Sequence, residues 1–172
     1  MLYMLDVSIR FQIRAASLAD VSPLTALLNK IIESGGTTAL ETPLSHTEFA
    51  AHFLLGPQVL SCFVAEDDAS KTLLGFQSLE RHRDLPEDWG DIATFAQPTS
   101  KQRGVGTALF AATIVRAREL GLVAINATIR ADNRGGLAFY EKMGFTTYRV
   151  LEAVPLRDGT PVDRISKRHS VG

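Results

Sequence analysis

The chain has 172 residues and a net charge of −1; 45% of its residues are hydrophobic and 22% are charged. These values are typical of a globular protein with a sizeable core, and the near-neutral charge gives no electrostatic reason to expect nucleic acid or an anionic membrane as main partner. A single cysteine, Cys62, excludes an intrachain disulfide and indicates a reducing compartment. We therefore expect a cytoplasmic protein, with neither signal peptide nor membrane anchor in Met1 to Phe11.

The first half of the chain alternates between strand-like and helix-like apolar patterns. Ser17 and Asp20 are spaced as a capping box for the first helix, and Ser45 is placed as the N-cap of the second. Because Cys62 lies in an apolar, strand-like run, we expect a buried structural thiol rather than a nucleophile. The predicted elements are a strand at Ile9 to Arg14, a helix from Ser17 to about Glu33, a helix from Ser45 to Gly56, and strands at Val59 to Glu66 and Leu73 to Glu80.

The second half of the chain continues with helices and strands, and several strands follow one another directly. This order favours a mixed α/β fold over a purely parallel sheet. No repeat, low-complexity tract or linker interrupts it, so we expect a single domain over residues 1–172. The predicted elements are a strand at Trp89 to Ala96, a helix from Lys101 to Leu120, a strand at Leu122 to Ile129, a helix at Arg134 to Met143, and strands at Phe145 to Leu151 and Pro161 to Lys167.

The stretch from Lys101 to Phe110 has the features of an anion-binding turn. It follows a strand and opens a helix, whose first N–H groups have no internal partner and lie at the positive end of the helix dipole. Gly104 and Gly106 have no Cβ, so that a phosphate can come within hydrogen-bonding distance of the backbone. A lone G-x-G is weak evidence, and a flexible turn before an amphipathic helix is the alternative.

Other phosphate-binding patterns do not match. A dinucleotide-binding fold would need a glycine where Leu109 stands and an acidic residue near Arg130, at the end of the next strand. A P-loop would need Gly-Lys-Ser/Thr, which the sequence lacks. His82 to Leu85 is similar to a kinase catalytic loop, but Trp89 occupies the position of the required asparagine. Another nucleotide or coenzyme A is therefore the expected ligand.

Two motifs together resemble those of the GNAT superfamily of N-acetyltransferases. In the first, Gln or Arg is followed by two residues, Gly, one residue, and Gly or Ala; the chain matches it up to Gly106, except that Lys101 replaces Gln or Arg. The second comprises Asn133, Ala138 to Lys142, and Gly144-Phe145. The resemblance extends from Ile9 to Lys167 and is greatest to the phosphinothricin and amino-acid N-acyltransferases.

This resemblance implies a GNAT fold that binds acetyl-CoA. Backbone N–H groups would hold the pyrophosphate, and a strand backbone would hold the pantetheine arm and the thioester carbonyl; losing an oxyanion donor of this kind typically costs about 3 kcal/mol. Asn133 matches a residue that commonly contacts the cofactor, although it is also placed as the N-cap of the next helix, and one side chain can serve both roles. The matching pyrophosphate positions are Gln102, Arg103, Gly104, Val105, Gly106 and Thr107, and the matching pantetheine positions are Thr94, Phe95 and Ala96.

Two residues match the catalytic positions of the family. Asp91 matches a glutamate that is frequent in phosphinothricin-type relatives and is our expected general base, because an α-amino group of pKa near 8 is about nine-tenths protonated at pH 7. Its shorter side chain favours a water relay, and a solvated strand-end carboxylate is the alternative; Glu80 and then Glu41 are further candidates. Tyr140 matches the family's general acid for the departing thiolate, with a core tyrosine beside Phe139 and Phe145 as the alternative.

The acceptor implied by the resemblance is the primary amine of a small, amino-acid-like molecule, which attacks directly in a ternary complex. Arg81 to Arg83 lies where related enzymes build the acceptor pocket, so Arg83 is expected to bind a carboxylate, with a solvated loop as the alternative; Glu41 lies in a second such segment.

The scattered histidines predict no metal site. Acetylation of a protein or peptide amine and a non-catalytic acyl-CoA sensor stay as alternatives. The sequence is silent on oligomeric state, although a homodimer is common in similar proteins.

Overall fold

The computed structural model describes residues 10–97 and 104–172. Within these ranges the chain forms a seven-stranded sheet with helices on both faces. The strands are β1 (Phe11–Ala15), β2 (Val59–Asp67), β3 (Leu73–Glu80), β4 (Trp89–Ala96), β5 (Ala124–Arg130), β6 (Thr146–Pro155) and β7 (Pro161–Ser170). The helices are α1 (Val21–Ser34), α2 (His46–Ala50), α3 (Val105–Glu119) and α4 (Arg134–Lys142).

The sheet has the order β1-β2-β3-β4-β5-β7-β6, and its neighbouring strands are antiparallel except for β4 and β5. The predicted mixed sheet is therefore confirmed. β4 and β5 are parallel because the connection between them crosses over through α3. They pair only over Trp89 to Asp91, opposite Ala124 to Asn126. Beyond Asp91 the two strands separate and leave an opening in the middle of the sheet.

The ends of the helices differ from the predicted ones in three places. The helix predicted from Ser17 starts as a 3₁₀ turn, Leu18–Asp20, and α1 itself begins at Val21. The predicted second helix is regular only over α2 and continues as a π-helical turn, Ala51–Leu55. Its capping box is confirmed, since Ser45 Oγ accepts from the Glu48 N–H and the Glu48 carboxylate accepts from the Ser45 N–H. The helix predicted from Lys101 begins at Val105 in the described part of the chain, with Gly104 as its N-cap.

The core lies on both faces of the sheet. Helices α1 and α2 cover β2 to β4 on one face, where Phe49, Phe53, Phe76 and Phe95 form an aromatic cluster. Helix α3 packs on the other face against β2, β3 and β4, and α4 packs on the same face against β5. Helices α1 and α2 do not extend over β5 to β7, so they leave their face of the sheet uncovered there, beside the opening.

The single cysteine is part of this core. Cys62 is 7% exposed and belongs to the cluster under α1 and α2. Burial raises the pKa of its thiol to about 12, so that the thiol stays protonated at neutral pH. This environment agrees with the predicted structural role.

Two observations hold for residues 10–97 and 104–172. No helix there is long and apolar enough to cross a membrane. No group of three His, Cys, Asp or Glu side chains there is arranged to hold a metal ion.

Replacing Phe76 by alanine tests the aromatic cluster. The Phe76 ring is fully buried and lies 4.8 Å from the Phe95 ring and 5.4 Å from the Phe53 ring. We expect Phe76→Ala to lower the free energy of unfolding by about 3–5 kcal/mol, because the cavity it leaves cannot fully collapse. Urea denaturation followed by circular dichroism measures the loss. Leu18→Ala, at a side chain 63% exposed, is the control and should change the value by less than about 0.5 kcal/mol; similar losses in both variants would contradict this account.

Candidate active site

A cavity of about 510 Å³ lies at the opening between β4 and β5. Its walls are the separating ends of these two strands, the loop after α1 and the first turn of α4. The volume is in the range of pockets that bind small molecules. The structure brings six of the sequence-predicted site residues together in the cavity wall: Asp91, Thr94, Phe95, Ala96, Asn133 and Tyr140.

The side chains of β4 reach the cavity from both faces of the sheet, because successive residues of a strand point to opposite faces. Asp91 and Phe95 point to the face that carries α1 and α2. Thr94 points to the other face, where its hydroxyl contacts Tyr140 of α4. A ligand in the opening is therefore accessible to Asp91 from one face and to Tyr140 from the other.

Asp91 lies in a partly buried, polar environment. Asn126 Nδ2 donates a hydrogen bond to Asp91 Oδ1 at 2.7 Å, and the Tyr148 hydroxyl donates to Asn126 Oδ1 at 2.6 Å. Burial raises the pKa of Asp91 to about 6, although the hydrogen bond from Asn126 lowers it. The side chain is therefore mostly ionised at pH 7 and able to take up a proton, which favours a base over a solvated strand-end carboxylate.

Tyr140 is in the core and at the cavity at the same time. Its ring is 6% exposed and lies about 5 Å from the rings of Phe139 and Phe145, as in the alternative interpretation of the sequence. Its hydroxyl oxygen, however, lies 2.9 Å from Thr94 Oγ1 and lines the cavity. Burial raises the pKa of the phenol well above its ordinary value of 10. The group is therefore a persistent hydrogen-bond donor and a poor proton donor.

A buried glutamine hydrogen-bonds to Thr94 next to Tyr140. With the side-chain amide of Gln77 oriented as assigned, its Nε2 donates to Thr94 Oγ1 at 2.9 Å. Thr94 can then donate its own hydroxyl proton to the Tyr140 oxygen, which leaves the phenolic proton free to point into the opening. Gln77 is fully buried, and its Oε1 has no hydrogen-bond partner among the described residues.

The N-terminus of α3 lies next to the motif predicted to bind the pyrophosphate. Within the described residues, the first hydrogen bond of the helix runs from the Ala108 N–H to the Gly104 carbonyl at 2.9 Å. Gly104 has a φ of +98°, a left-handed conformation that favours glycine. Gln102 and Arg103, predicted to continue this site, lie outside the described residues.

Gly106 has a second function that the motif did not indicate. A Cβ at this position would lie 2.7 Å from Phe139 Cε2, closer than carbon atoms normally approach. The glycine therefore allows α3 and α4 to pack against each other beside the opening, in addition to any close approach of a phosphate.

Asn133 is the N-cap of α4. Its Oδ1 accepts a hydrogen bond from the Gly136 N–H at 2.9 Å, and its Nδ2 donates to the Thr37 carbonyl at 2.9 Å. The side chain thus connects the start of α4 with the loop after α1, and both groups close one end of the cavity. The capping role is confirmed, and a contact with the cofactor stays a prediction.

Two predicted substrate residues do not line the cavity. The Arg83 side chain is 92% exposed and projects from the loop between β3 and β4 into solvent, so its predicted carboxylate-binding role is not supported. The Glu41 carboxylate accepts from the Arg157 N–H at 3.0 Å and joins the α1–α2 loop to the β6–β7 turn. Glu80, a reserve candidate for the base, does line the cavity next to Asp91.

Several polar residues of the site were missed by the sequence analysis: Gln77, Asn126, Tyr148, Arg130 and Arg164. All of them lie in strands. A detectable signal existed for Gln77 and Asn126, since each interrupts an otherwise apolar strand, and a buried amide needs specific hydrogen-bond partners.

Comparison with known proteins agrees with this geometry. Residues 25–145 match the Acetyltransferase (GNAT) family. The chain belongs to the GNAT family. It is therefore an acetyl-CoA-dependent N-acetyltransferase, and the fold and cofactor predicted from the sequence motifs are confirmed.

Individual relatives resemble this GNAT enzyme over most of its length. The L-methionine sulfoximine/L-methionine sulfone acetyltransferase of Pseudomonas aeruginosa is 28% identical over 77% of this chain and 78% of its own. A candidate phosphinothricin acetyltransferase of Bacillus subtilis, YwnH, is 24% identical over 88% of this chain and 93% of its own. The crystal structure of a phosphinothricin acetyltransferase from Sinorhizobium meliloti in complex with acetyl-CoA has a TM-score of 0.82 and 22% identity, covering 94% of this chain and 89% of that one.

Asp91→Asn tests the electrostatics of the site through protein stability. The folded-state pKa of about 6 lies above the ordinary value of 3.8, so between these values the folded state holds a proton that the unfolded chain has lost. The stability contributed by protonated Asp91 is present at low pH and is lost as the pH rises through about 6. A gap of about two pKa units corresponds to about 3 kcal/mol. We expect the variant to be more stable than wild type at pH 8, by up to this amount, and the difference to vanish towards pH 4.

Urea denaturation at pH 4 and pH 8 measures this difference. The asparagine can still accept the hydrogen bond from Asn126 through its amide oxygen, so packing is preserved. Asp68→Asn, on the exposed turn after β2, is the control and should show no pH-dependent gain. A variant that is less stable than wild type at both pH values would contradict the assignment of a buried, destabilised carboxylate.

Proposed function

We propose that this GNAT enzyme transfers the acetyl group of acetyl-CoA to the primary amine of a small, amino-acid-like acceptor by direct attack in a ternary complex. The observation that carries the proposal is that Asp91 and Tyr140 reach one cavity from opposite faces of the sheet. One group suits the incoming amine and the other the departing thiol. The relatives named above for methionine sulfoximine, methionine sulfone and phosphinothricin support an acceptor that resembles an amino acid.

The chain's own groups fit the acyl donor. Acetyl-CoA supplies the acetyl group as a thioester, and its transfer to an amine leaves a thiol. The backbone N–H groups of Val105, Gly106 and Thr107, in the first turn of α3, suit the pyrophosphate, and Gln102 and Arg103 extend the same sequence motif. The edge of β4 that faces the opening has no partner strand beyond Asp91, so the backbone at Thr94 to Ala96 suits the pantetheine arm. Asn133, at the end of the cavity, is placed for a further contact.

Asp91 removes the proton of the acceptor ammonium group, directly or through a water molecule. With a pKa of about 6 it is about nine-tenths ionised at pH 7. Moving a proton to it from an amine of pKa near 8 is uphill by about 3 kcal/mol, which is small compared with a catalytic barrier. Asn126 and Tyr148 hold the carboxylate in place for this step.

Tyr140 stabilises the thiolate by donating a hydrogen bond. The raised pKa of the phenol disfavours full proton transfer but leaves the donor intact. When Thr94 accepts from Gln77 and donates its own hydroxyl proton to Tyr140, the phenolic proton is available at the opening. We therefore propose hydrogen bonding rather than general-acid transfer as the main role of this residue.

The alternatives fit the cavity less well. A volume of about 510 Å³ suits a small molecule better than a peptide segment. A non-catalytic acyl-CoA sensor has no use for a carboxylate of raised pKa beside the opening, or for a tyrosine oriented by a buried glutamine.

We also propose that residues 1–172 form a single domain and that the protein is cytoplasmic, since one sheet links β1 to β7 and the single cysteine is a buried free thiol. A homodimer through β6 is a further proposal, because this edge strand exposes Tyr148, Val150 and Leu151. Light scattering at several protein concentrations tests it, and a mass of one chain, about 18.7 kDa, at all of them would rule it out.

Acetyl-CoA-dependent thiol release tests the enzymatic function. The acceptor panel comprises L-methionine sulfone, L-methionine sulfoximine, phosphinothricin, common amino acids, polyamines, aminoglycosides and short peptides. We expect turnover to be greatest with amino-acid-like members. Asp91→Asn should lower kcat/KM by about 10²–10⁴, in the range typical of general bases, and Tyr140→Phe should lower kcat by about tenfold or more because it removes only a hydrogen bond. Calorimetry should show CoA affinity within about threefold of wild type in both.

The outcomes separate the hypotheses. Asp68→Asn is the matched control for a lost carboxylate and should keep wild-type turnover. CoA binding without turnover on any acceptor would support the sensor, and turnover confined to peptides would support the protein acetyltransferase. Failure to bind CoA would overturn the assignment of the α3 N-terminus.

A further inference from the structure

Two arginines face each other in the wall of the cavity. Arg130 on β5 and Arg164 on β7 are directly opposite in the strand register, so their side chains lie on the same face of the sheet. Arg130 contacts the Thr38 carbonyl of the loop after α1, so this is the face that carries α1 and α2, the same face as Asp91. Like charges in directly opposite positions are destabilising unless they are compensated.

Only one of these two charges has a partner. The Arg130 guanidinium donates to both carboxylate oxygens of Asp132, at 2.9 and 2.7 Å, and to the Thr38 carbonyl at 3.2 Å. Arg164 forms no ion pair with the described residues, and its Nη1 is buried without a hydrogen-bond partner among them. The pKa of Arg164 is lowered by burial and by the charge of Arg130, and the nearby carboxylates of Glu41 and Asp132 offset this only in part. The cavity wall therefore holds an unsatisfied cation.

Arg164 lies on the face of the sheet that carries α1, α2 and Asp91, which we call the acceptor face, and not on the face that carries the α3 N-terminus. Donor groups for the pyrophosphate are presented by α3, which packs on the opposite face of the sheet. On the acceptor face, the acidic end of the wall is formed by Asp91 and Glu80, and the basic end by Arg164. From Asn126, opposite Asp91, to Arg130, opposite Arg164, the backbone of β5 rises by about 13 Å. The long Arg164 side chain spans part of this distance, so the gap between its guanidinium and the Asp91 carboxylate is shorter and suits an acceptor whose amine and carboxylate are close together.

We propose that Arg164 binds the carboxylate of the amine acceptor and thereby selects amino acids over amines that lack an acid group. This inference rests on the proposed function and names the residue that gives it specificity. A carboxylate in the cavity would accept hydrogen bonds from the guanidinium, satisfy the buried Nη1 and compensate the repulsion from Arg130. The role that the sequence suggested for the solvent-exposed Arg83 is thereby assigned to a residue at the cavity.

The experiment compares each acceptor acid with its own carboxamide, which keeps the α-amine and removes the negative charge. L-methionine sulfone and its carboxamide are the first pair, and the best amino acid of the panel and its carboxamide are the second. We expect Arg164→Gln to lower the ratio of kcat/KM for acid to kcat/KM for amide by tenfold or more, mainly through the KM of the acid. The amide itself should change by less than about twofold.

Arg83→Gln is the matched control, because it removes the same charge from an exposed position and should leave the ratio unchanged. Thermal melting supplies a second measurement that does not depend on turnover. Saturating L-methionine sulfone, or the best panel acid, should raise the Tm of wild type and not that of Arg164→Gln, while CoA should raise both equally.

Each negative result has its own meaning. If wild type acetylates no amine, the proposed function fails. If wild type is active and Arg164→Gln affects acid and amide equally, or if the accepted amines all lack a carboxylate, the function stands and the role of Arg164 is refuted. A loss of CoA affinity in Arg164→Gln would assign the charge to the acyl donor and likewise refute the proposal.

Discussion

The separation of β4 from β5 beyond Asp91 is the constraint on which the rest of the site depends. A continuous sheet would satisfy its backbone groups internally and leave no path between its two faces. Because the parallel pairing stops after three residues, β4 offers one free backbone edge and two sets of side chains at the same opening. The crossover through α3 then brings a helix N-terminus, at Gly106, against Phe139 in the wall of the same opening. The groups that we propose to bind acetyl-CoA, to remove the amine proton and to stabilise the thiolate thus depend on one interruption of the sheet.

The polar groups around this opening are arranged differently on the two faces. Behind Tyr140, the Gln77 and Thr94 side chains form a short chain that ends in a neutral donor. Beside Asp91, Asn126 and Tyr148 hold a carboxylate whose charge burial disfavours. In the proposed mechanism, the first arrangement would stabilise the negative charge that develops on sulfur, and the second would remove the positive charge from nitrogen. A low-dielectric opening between them strengthens both effects, because fixed dipoles there need no reorganisation during the reaction.

The fold and the cofactor could be predicted from the sequence, because the motif from Lys101 to Gly106 and the segment from Asn133 to Phe145 specify local backbone structure. The glycines at the start of α3 and the cap before α4 act on residues that are close to them in the chain. Asp91 and Tyr140, which line the cavity, were selected by matching motif positions. The proposed carboxylate site was not predicted, since Arg130 and Arg164, 34 residues apart in sequence, become neighbours only through the β5–β7 register. Arg83, conversely, has the right chemistry but lies in a loop that directs it into solvent.

The charges of Asp91 and Arg164 link the stability of the fold to the proposed substrate specificity of the enzyme. A partly buried carboxylate of raised pKa and a guanidinium whose buried Nη1 has no partner among the described residues each cost free energy in the absence of substrate. They have opposite signs and lie at opposite ends of one cavity wall, so neither can neutralise the other directly. An acceptor with an amine and a carboxylate satisfies both at once, whereas a simple amine satisfies one. Substrate preference would then follow from the same electrostatic penalties that the empty protein tolerates, without requiring a shape-selective pocket.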